Sequence, residues 1–434
     1  MKNKTIALIM SMGLCSSVFA QQKVYICDGY GYDAYDVNAA TDIRLSADRK
    51  SITICEDTYL LTDFDSITFS EPQFDKVVIK YNGTSASVSI PASYAGVTCT
   101  SGTSSHVVIK SATTDKEYLY SLEGTSSDGS FTLNGNYKLS VELAGIDLTS
   151  KKGAAVDIEC GKRIDILVKD GTVNSFADYA NGDQKAAFYS KGHMEFKGAG
   201  TLSVTGNAKH ALGAKEYIEF KGSLGTVNIL GAESDGIHCG KGEKGDGENN
   251  YFQMNGGNVT ISKCGSDCID SDDYGCVRIK GGRLNITVSQ ADGCGIKCDS
   301  LFTMTGGNID IDITGASSEG IRSNYRGTFS GGTITENVSG KGTRGIRGKA
   351  CTKVTDKVKG GGYIDFSGTN VVMTVSGVND SENDQKCFGI KADKELNQTA
   401  GDLTINVTST DKTTKGINAD TDNWTGGTRN GKNK

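Results

Sequence analysis

The sequence predicts an all-β protein, a right-handed parallel β-helix (a solenoid) with a small N-terminal β cap segment. Two observations carry this prediction: a residue pattern that recurs about every 25 positions, and the alternation of apolar with polar residues inside each repeat. Composition agrees, because the 434 residues include 57 Gly but only 2 Pro, and Pro would remove a hydrogen-bond donor from a fully paired sheet. The same counts exclude collagen-like and proline-rich architectures.

Each repeat contains an apolar residue that follows a small one, and a second small residue stands two positions later. The apolar positions are Phe188, Leu212, Ile237, Ile269, Ile296, Ile321, Ile346, Ile390 and Ile417. Residues two apart on a strand face the same side, so both positions should point into the solenoid. Because stacked coils lie about 4.8 Å apart, equivalent residues should form ladders along its axis.

Composition divides the chain into four segments. Residues 1–20 resemble a secretory signal peptide, with two lysines before a short apolar stretch that ends in small residues. Residues 21–74 should form a β segment that covers the open first coil, residues 75–424 the β-helix, and residues 425–434 a polar tail. No later stretch reaches the roughly 20 apolar residues of a transmembrane span. We therefore expect export to the periplasm, the cell surface or the extracellular space.

Charge and cysteine content narrow the possible partners and sites. A formal net charge of −6 argues against a nucleic-acid partner. The four His residues do not fall at zinc-ligand spacing, so no zinc site is expected. Cys239 and Cys298 share an inward column but lie two coils apart, too far for a disulfide, whereas Cys268 and Cys294 in adjacent coils are the better pair.

Several segments resemble one protein family. Gly129-Ser-Phe-Thr-Leu-Asn-Gly-Asn-Tyr-Lys-Leu139, Lys191-Gly-His-Met-Glu-Phe196 and the Asp-Gly-Ile and Gly-Gly pattern of residues 235–420 resemble secreted bacterial β-helix proteins described as carbohydrate-binding domain-containing. The resemblance covers roughly residues 105–420. In addition, Phe64-Asp-Ser-Ile-Thr-Phe69 resembles a segment common near the N-terminus of exported Bacteroidota proteins. The family is similar in fold to calcium-dependent pectate lyases, and the resemblance implies a calcium-containing polysaccharide binder that does not cleave.

An acidic cluster is the candidate metal site. Its members are Asp235, Asp267, Asp270, Asp272, Asp299 and Asn324, which occupy similar positions in successive coils. Carboxylates stacked at coil spacing repel one another unless water screens them, one is protonated, or a hard cation with oxygen ligands holds them. We expect calcium as the cofactor. The alternative is that these are turn residues whose carboxylates accept local backbone hydrogen bonds.

A run of cations is the candidate ligand site. One residue after the apolar position stand Lys297, Arg322, Arg347 and Lys391, which we call the basic rail. If the rail points outward and is exposed, it suits an anionic polymer, because guanidinium groups bind carboxylates in forks. The alternative is a solvated surface ladder neutralised by Asp270 and Asp299. Polar insertions at 241–250 and 376–386 are the other places where a binding site can be built.

Aromatic and catalytic signals are weaker. Tyr251, Tyr274 and Tyr325 lie near turns where they can stack a sugar, while the single Trp, Trp424, is expected to belong to a C-terminal cap. The pair Asp272-Asp273 and the triplet Arg278-Ile-Lys280 look like polygalacturonase motifs, but they fall in one coil with no His between them. That spacing argues against hydrolysis.

The sequence thus predicts a monomeric, noncatalytic protein that binds a polysaccharide, acidic and uronate-containing, with the assistance of calcium. Two alternatives stay open: a structural surface protein or adhesin, and a polysaccharide lyase that acts on acidic glycans.

Overall fold

The computed structural model describes residues 22–27, 32–37, 43–64, 66–70, 72, 75–240, 250–351 and 360–431. Within these ranges every helix or strand assigned is a β-strand. The same ranges contain no helix with the length and apolar character needed to cross a membrane. The predicted signal peptide and nearly all of the insertion at 241–250 lie outside the described residues.

Six strands precede the repeats and form two small antiparallel sheets. They are β1 Gln22–Cys27, β2 Tyr32–Val37, β3 Ile43–Leu45, β4 Ser51–Ile54, β5 Asp57–Leu60 and β6 Ser66–Thr68. The first sheet has the order β2-β1-β6 and the second the order β3-β4-β5. This segment is therefore β-structured, as predicted.

Thirty-five further strands build the repeating part of the fold. They are β7 Val77–Asn82, β8 Ser85–Ser89, β9 Val97–Cys99, β10 His106–Ser111, β11 Leu119–Ser126, β12 Ser130–Gly135, β13 Leu139–Thr149, β14 Val156–Glu159, β15 Arg163–Val168, β16 Val173–Ala177, β17 Ala186–Ser190, β18 His193–Lys197, β19 Thr201–Gly206, β20 His210–Ala214, β21 Ile218–Phe220, β22 Thr226–Ala232, β23 Ile237–Cys239, β24 Tyr251–Met254, β25 Asn258–Ile261, β26 Ile269–Ser271, β27 Cys276–Ile279, β28 Arg283–Val288, β29 Cys294–Cys298, β30 Leu301–Met304, β31 Asn308–Ile313, β32 Glu319–Ser323, β33 Arg326–Phe329, β34 Thr333–Val338, β35 Arg344–Gly348, β36 Tyr363–Ser367, β37 Asn370–Val375, β38 Phe388–Ala400, β39 Asp402–Val407, β40 Lys415–Trp424 and β41 Thr428–Asn430.

From β14 to β35 each strand pairs in parallel with the strand three places later, so three parallel sheets run along the molecule. The first sheet contains β20, β23, β26, β29, β32 and β35; the second contains β21, β24, β27, β30 and β33; the third contains β22, β25, β28, β31 and β34. The architecture is a mostly parallel, solenoid-like β fold. Its right-handed sense stays a prediction.

The inward ladders follow the predicted register. In the first sheet Ile269 pairs with Ile296, which pairs with Ile321, and all three are at most 1% exposed. Two residues later, the small column runs from Cys239 through Ser271 to Cys298. Burial of these columns supplies the core, because side chains of successive coils pack directly on one another.

Glycine opens the strands of the third sheet for a steric reason. Gly332 has φ of +81°, and a Cβ there would lie 2.4 Å from the carbonyl oxygen of Gly307 in the preceding coil. A side chain at this corner would therefore collide with backbone, which explains why Gly recurs there at the coil period.

The described part of the N-terminal segment lies against later coils and not over the first coil, which corrects our expectation. Strands β7 to β9 begin the solenoid, with β8 and β9 antiparallel to their neighbours. The N-terminal sheet packs on the side of later coils, where Tyr25 and Tyr32 cluster with Leu167. Asp57 accepts hydrogen bonds from the backbone N–H of Gly222 at 2.6 Å and from Asn255 Nδ2 at 2.7 Å. Leu167 is an apolar residue at an outward position of its strand, where the alternation predicts a polar one. Its contact with Tyr25 and Tyr32 removes its side chain from water.

The other end of the solenoid extends past the expected boundary at residue 424. Strand β41 pairs in parallel with β39, so part of the expected polar tail belongs to the last coil. Trp424 ends β40, the strand before the last, and is 54% exposed, with the Arg429 guanidinium 5.2 Å from its ring centre.

The cysteine expectations have two outcomes. Cys239 and Cys298 are buried free thiols, as predicted. Cys268 and Cys294 are also free, so the suggested disulfide between them is wrong. Their thiols face different groups, since Cys268 Sγ lies 3.6 Å from the Thr287 carbonyl oxygen and Cys294 Sγ lies 3.9 Å from Glu319 Oε2.

Candidate functional site

Two columns of polar side chains run side by side along the first of the three parallel sheets, the one that contains β20, β23, β26, β29, β32 and β35. The rail column has the register Gly213, His238, Asp270, Lys297, Arg322, Arg347 and Lys391, as the sequence predicted. A second column, three residues earlier in each coil, contains His210, Asp235, Asp267, Cys294, Glu319 and Arg344. Most of this second column was missed. It places acids beside the rail, so the rail is not a free cationic surface.

Lys297 lies among carboxylates. Its Nζ is 3.0 Å from Asp270 Oδ2, 3.2 Å from Asp267 Oδ2 and 3.6 Å from Asp272 Oδ1. Only 19% of the side chain is exposed. Asp270 therefore does neutralise the rail here, as the alternative interpretation held, and the expected exposure of Lys297 is wrong.

Arg322 and Arg347 bind a buried acid. Glu319 is 3% exposed, and its oxygens face Arg322 Nη1 at 3.4 Å, Arg344 Nη1 at 3.6 Å and Arg347 Nη1. Although burial opposes it, these guanidinium groups lower the pKa of Glu319. Arg347 also lies 3.4 Å from Asp393. These two rail residues are half-buried rather than exposed, and a carboxylate other than Asp299 neutralises them.

Beyond Arg347 the surface becomes strongly cationic. A cleft of about 680 Å³ is lined by the cations Arg344, Arg347, Lys386, Lys391, Lys412 and Lys415, with Asp384 as the acid among the lining residues. Lys386, Lys412 and Lys415 are exposed, and among the described residues they form no ion pair within 4.0 Å. The insertion at 376–386 supplies Lys386, the turn before β40 supplies Lys412, and β40 itself begins with Lys415. The rail therefore leads into a cleft with unneutralised positive charge.

The predicted metal ligands separate into two groups. Carboxylate oxygens of Asp235, Asp267 and Asp270 lie within 4.8 Å of one another, and Asp272 joins Asp270. Asp299 and Asn324 lie elsewhere, where Asn324 Nδ2 donates to Asp299 Oδ1 at 2.9 Å and both line a pocket of about 210 Å³. One site built from all six residues is therefore not formed.

The first group also has a structural role. Asp235 accepts a hydrogen bond from the backbone N–H of Asp267 at 3.1 Å, and Asp267 accepts one from the backbone N–H of Cys294 at 2.7 Å. These contacts match the alternative that the acids satisfy local backbone donors. Burial raises the pKa of Asp270 to about 8 despite Lys297, and the carboxylates of Asp272, Asp267 and Asp235 add to the rise. Asp270 is therefore mostly protonated at pH 7, because its ionisation would add a negative charge that Lys297 alone does not balance.

Two histidines complete this group. His210 and His238 stack with ring centres 4.1 Å apart and an interplanar angle of 7°. The Nδ1 atoms lie 3.1 Å and 3.0 Å from Asp235 Oδ2, and His210 Nδ1 also lies 3.3 Å from the backbone N of Asp235. The signal was present in the sequence, because His210 precedes Leu212 by two positions just as Asp235 precedes Ile237.

Calcium does not fit this histidine-containing group. The ion prefers six to eight oxygen ligands, whereas here two imidazole nitrogens and the Lys297 ammonium stand among the carboxylates. The Asp299 pocket fits better, because Asn324 Oδ1 is buried without a hydrogen-bond partner among the described residues.

The expected sugar-stacking faces are largely covered. Tyr251 lies between Tyr217, with ring centres 4.5 Å apart and an angle of 5°, and the Arg278 guanidinium, 4.3 Å from its ring centre. Tyr325 packs edge-on against Tyr363. Stacking on Tyr251 is therefore blocked on both faces.

Comparison with known proteins identifies the family. A model described as carbohydrate-binding domain-containing protein matches residues 103–432. A carbohydrate-binding domain-containing protein of Acetivibrio thermocellus is 25% identical over 122 residues, which make up 26% of this chain and 43% of that protein, so this chain aligns with less than half of its relative's length. A solved structure, a gadolinium derivative of the polysaccharide lyase-like protein from C. thermocellum, is 16% identical with a TM-score of 0.37, covering 71% of this chain and 98% of that one. Because the family model spans most of the sequence, this chain belongs to the family of carbohydrate-binding domain-containing proteins.

Proposed function

We propose that this protein binds an acidic, uronate-containing polysaccharide without cleaving it, in the cationic cleft beside Arg347. Family membership supports a polysaccharide ligand. The preference for an acidic polysaccharide rests on one observation, the unneutralised positive charge of Lys386, Lys412 and Lys415 in the cleft.

The cleft suits a short stretch of such a polymer. Its volume of about 680 Å³ falls within the roughly 300–1,000 Å³ of typical ligand sites. Lys386, Lys412 and Lys415 line one cleft, so repeated carboxylates along a chain can meet several cations. Exposed lysines keep their hydration until a ligand arrives, so recognition should depend on salt concentration.

The test compares charge-matched variants. Lys386→Ala with Lys412→Ala should weaken polygalacturonate binding about 10-fold or more at low salt, measured by isothermal titration calorimetry, and the difference should shrink as salt rises. Lys110→Ala with Lys151→Ala removes the same charge from exposed positions elsewhere and should change little. Equal losses in both double variants, or equal binding of neutral and acidic glycans, would refute the acidic site.

Cleavage has its own measurement. A lyase would produce unsaturated uronate with a new ultraviolet absorbance, and we expect none during prolonged incubation with polygalacturonate. Appearance of that absorbance would establish the alternative of a polysaccharide lyase. Binding to proteins with no glycan signal would instead establish the adhesin alternative.

Calcium, export and a monomeric state are further parts of the proposal. We place calcium at Asp299 and Asn324, where side-chain oxygens line the small pocket. Addition of CaCl₂ to metal-free protein should raise the melting temperature, since a ligand of the folded state stabilises it, and Asp299→Asn should reduce the shift. Cell fractionation tests export, and light scattering tests the monomeric state.

A further inference from the structure

The group of His210, Asp235 and His238 has the composition of a transition-metal site. Both imidazole Nδ1 atoms approach the same carboxylate oxygen, Asp235 Oδ2, at 3.1 Å and 3.0 Å. Zinc bonds of about 2.0–2.2 Å place neighbouring ligand atoms roughly 3 to 3.5 Å apart. The three donor atoms therefore need shifts of only a few tenths of an ångström to surround an ion.

The placement of the ligands suits this chemistry. His210 and Asp235 are at most 4% exposed, whereas the His238 side chain is 22% exposed and gives access from solvent. Two rigid strands hold the rings, since His210 begins β20 and His238 lies in β23.

A second observation is an unpartnered carboxylate oxygen beside the histidines. Asp270 is 4% exposed, and its Oδ1 is buried with no hydrogen-bond partner among the described residues. Its other oxygen lies 3.9 Å from His238 Nδ1. Asp267, Asp270 and Asp272 face the Lys297 ammonium, and Asp235 lies within 4.8 Å of Asp267 and Asp270. A buried polar oxygen without a partner is costly, and coordination to a divalent ion would satisfy it.

We propose that His210, Asp235 and His238 bind a divalent transition ion of the zinc type, with Asp270 completing the site. Two imidazoles and a carboxylate select such ions over calcium. The site stands four coils from Arg347 in the rail column, roughly 19 Å at about 4.8 Å per coil, so it is independent of the proposed glycan cleft.

The first experiment is a titration of metal-free, full-length folded protein with ZnCl₂ and, separately, with CaCl₂. One equivalent of Zn²⁺ should bind, and excess Ca²⁺ should not compete for it. His238→Gln should weaken the affinity at least 10-fold, and Asp235→Asn, which keeps the shape of the side chain, should do the same. His106→Ala is the matched control, because His106 also faces a carboxylate, Asp128 at 3.1 Å, but has no second imidazole.

The second experiment identifies the ligands. Co²⁺ in the site should give visible bands of nitrogen and oxygen coordination without sulfur-to-cobalt charge transfer in the near ultraviolet. The proposal is overturned if no Zn²⁺ binds, if His238→Gln and Asp235→Asn bind as the parent does, or if sulfur bands show that the cysteines hold the metal. In the first case the two histidines only form structural hydrogen bonds with Asp235.

Discussion

Glu319 and Arg347 form an ion pair between adjacent coils, with the buried carboxylate beneath the half-buried guanidinium. Arg322, on the strand of Glu319 itself, approaches the other carboxylate oxygen at 3.4 Å. The middle of the basic rail is thus part of the internal charge balance of the solenoid. Its arginines stabilise the fold, and the cleft beyond them carries the unneutralised charge.

Removing both arginines should therefore destabilise the protein. Arg322→Met with Arg347→Met leaves Glu319 buried with Arg344 as its remaining partner, and breaking a buried pair costs about 3–5 kcal/mol. Urea denaturation should show this loss, and adding Glu319→Gln should recover part of it. Arg283→Met is the control, since its pair with Asp310 is exposed and contributes about 0–1 kcal/mol. An unchanged midpoint in the double variant would mean that the rail is a solvated ladder.

The apolar ladder should be sensitive to a single cavity. Ile321 is 1% exposed between Ile296 and Ile346, so Ile321→Ala should lower the free energy of unfolding by about 2–5 kcal/mol. Val372→Ala, at a position that is 46% exposed, should change it by less than about 0.5 kcal/mol. Similar effects in the two variants would contradict the assignment of Ile321 to the core.

The ladders could be predicted because a solenoid repeats its environment at a fixed period. Ile296, Ile321 and Ile346 occupy equivalent positions in β29, β32 and β35, so each coil requires the same inward branched side chain. The charge balance of the rail could not be predicted in the same way. The position of Glu319 holds Cys294 in the coil before and Arg344 in the coil after, so no repeated residue type marks it as the partner of Arg347.

Docking of the N-terminal segment was beyond the reach of sequence patterns. The hydrogen bond from Gly222 to Asp57 joins residues 165 positions apart, and no periodicity links them. Leu167 was the available clue, as an apolar residue at an outward position of β15. An apolar residue at an outward strand position indicates that another segment covers that surface, but it does not indicate which segment.

Buried thiols should resist alkylation in the folded protein. Cys239 and Cys298 are 0% exposed, and burial raises the pKa of both thiols, so neither access nor thiolate is available. Iodoacetamide followed by peptide mapping should label them only after unfolding, whereas the partly exposed Cys99 should react in the native state. A peptide that links Cys239 to Cys298 would contradict the coil register.

Glu336 places a carboxyl group inside the core. It stands between Ile311 and Met373 in an inward column, is 2% exposed, and neither of its carboxylate oxygens has a hydrogen-bond partner among the described residues. Space for it exists because a Cβ on Gly345 would lie 2.3 Å from Glu336 Oε2. Burial raises the pKa of Glu336 from 4.5 to about 8.

This carboxyl should make stability depend on pH. The pKa of Glu336 is higher in the folded chain than in the unfolded chain. The contribution of Glu336 to the free energy of unfolding is therefore most favourable below pH 4.5 and is lost as the pH rises to about 8. The full loss is on the order of 5 kcal/mol for a shift of this size. Glu336→Gln should remove that component, so the difference in unfolding free energy between variant and parent should grow in favour of the variant from pH 5 to pH 8. Glu233→Gln, at an exposed position, should follow the parent at every pH. A difference between Glu336→Gln and the parent that stays constant over this range would show that Glu336 is equally ionised in both states.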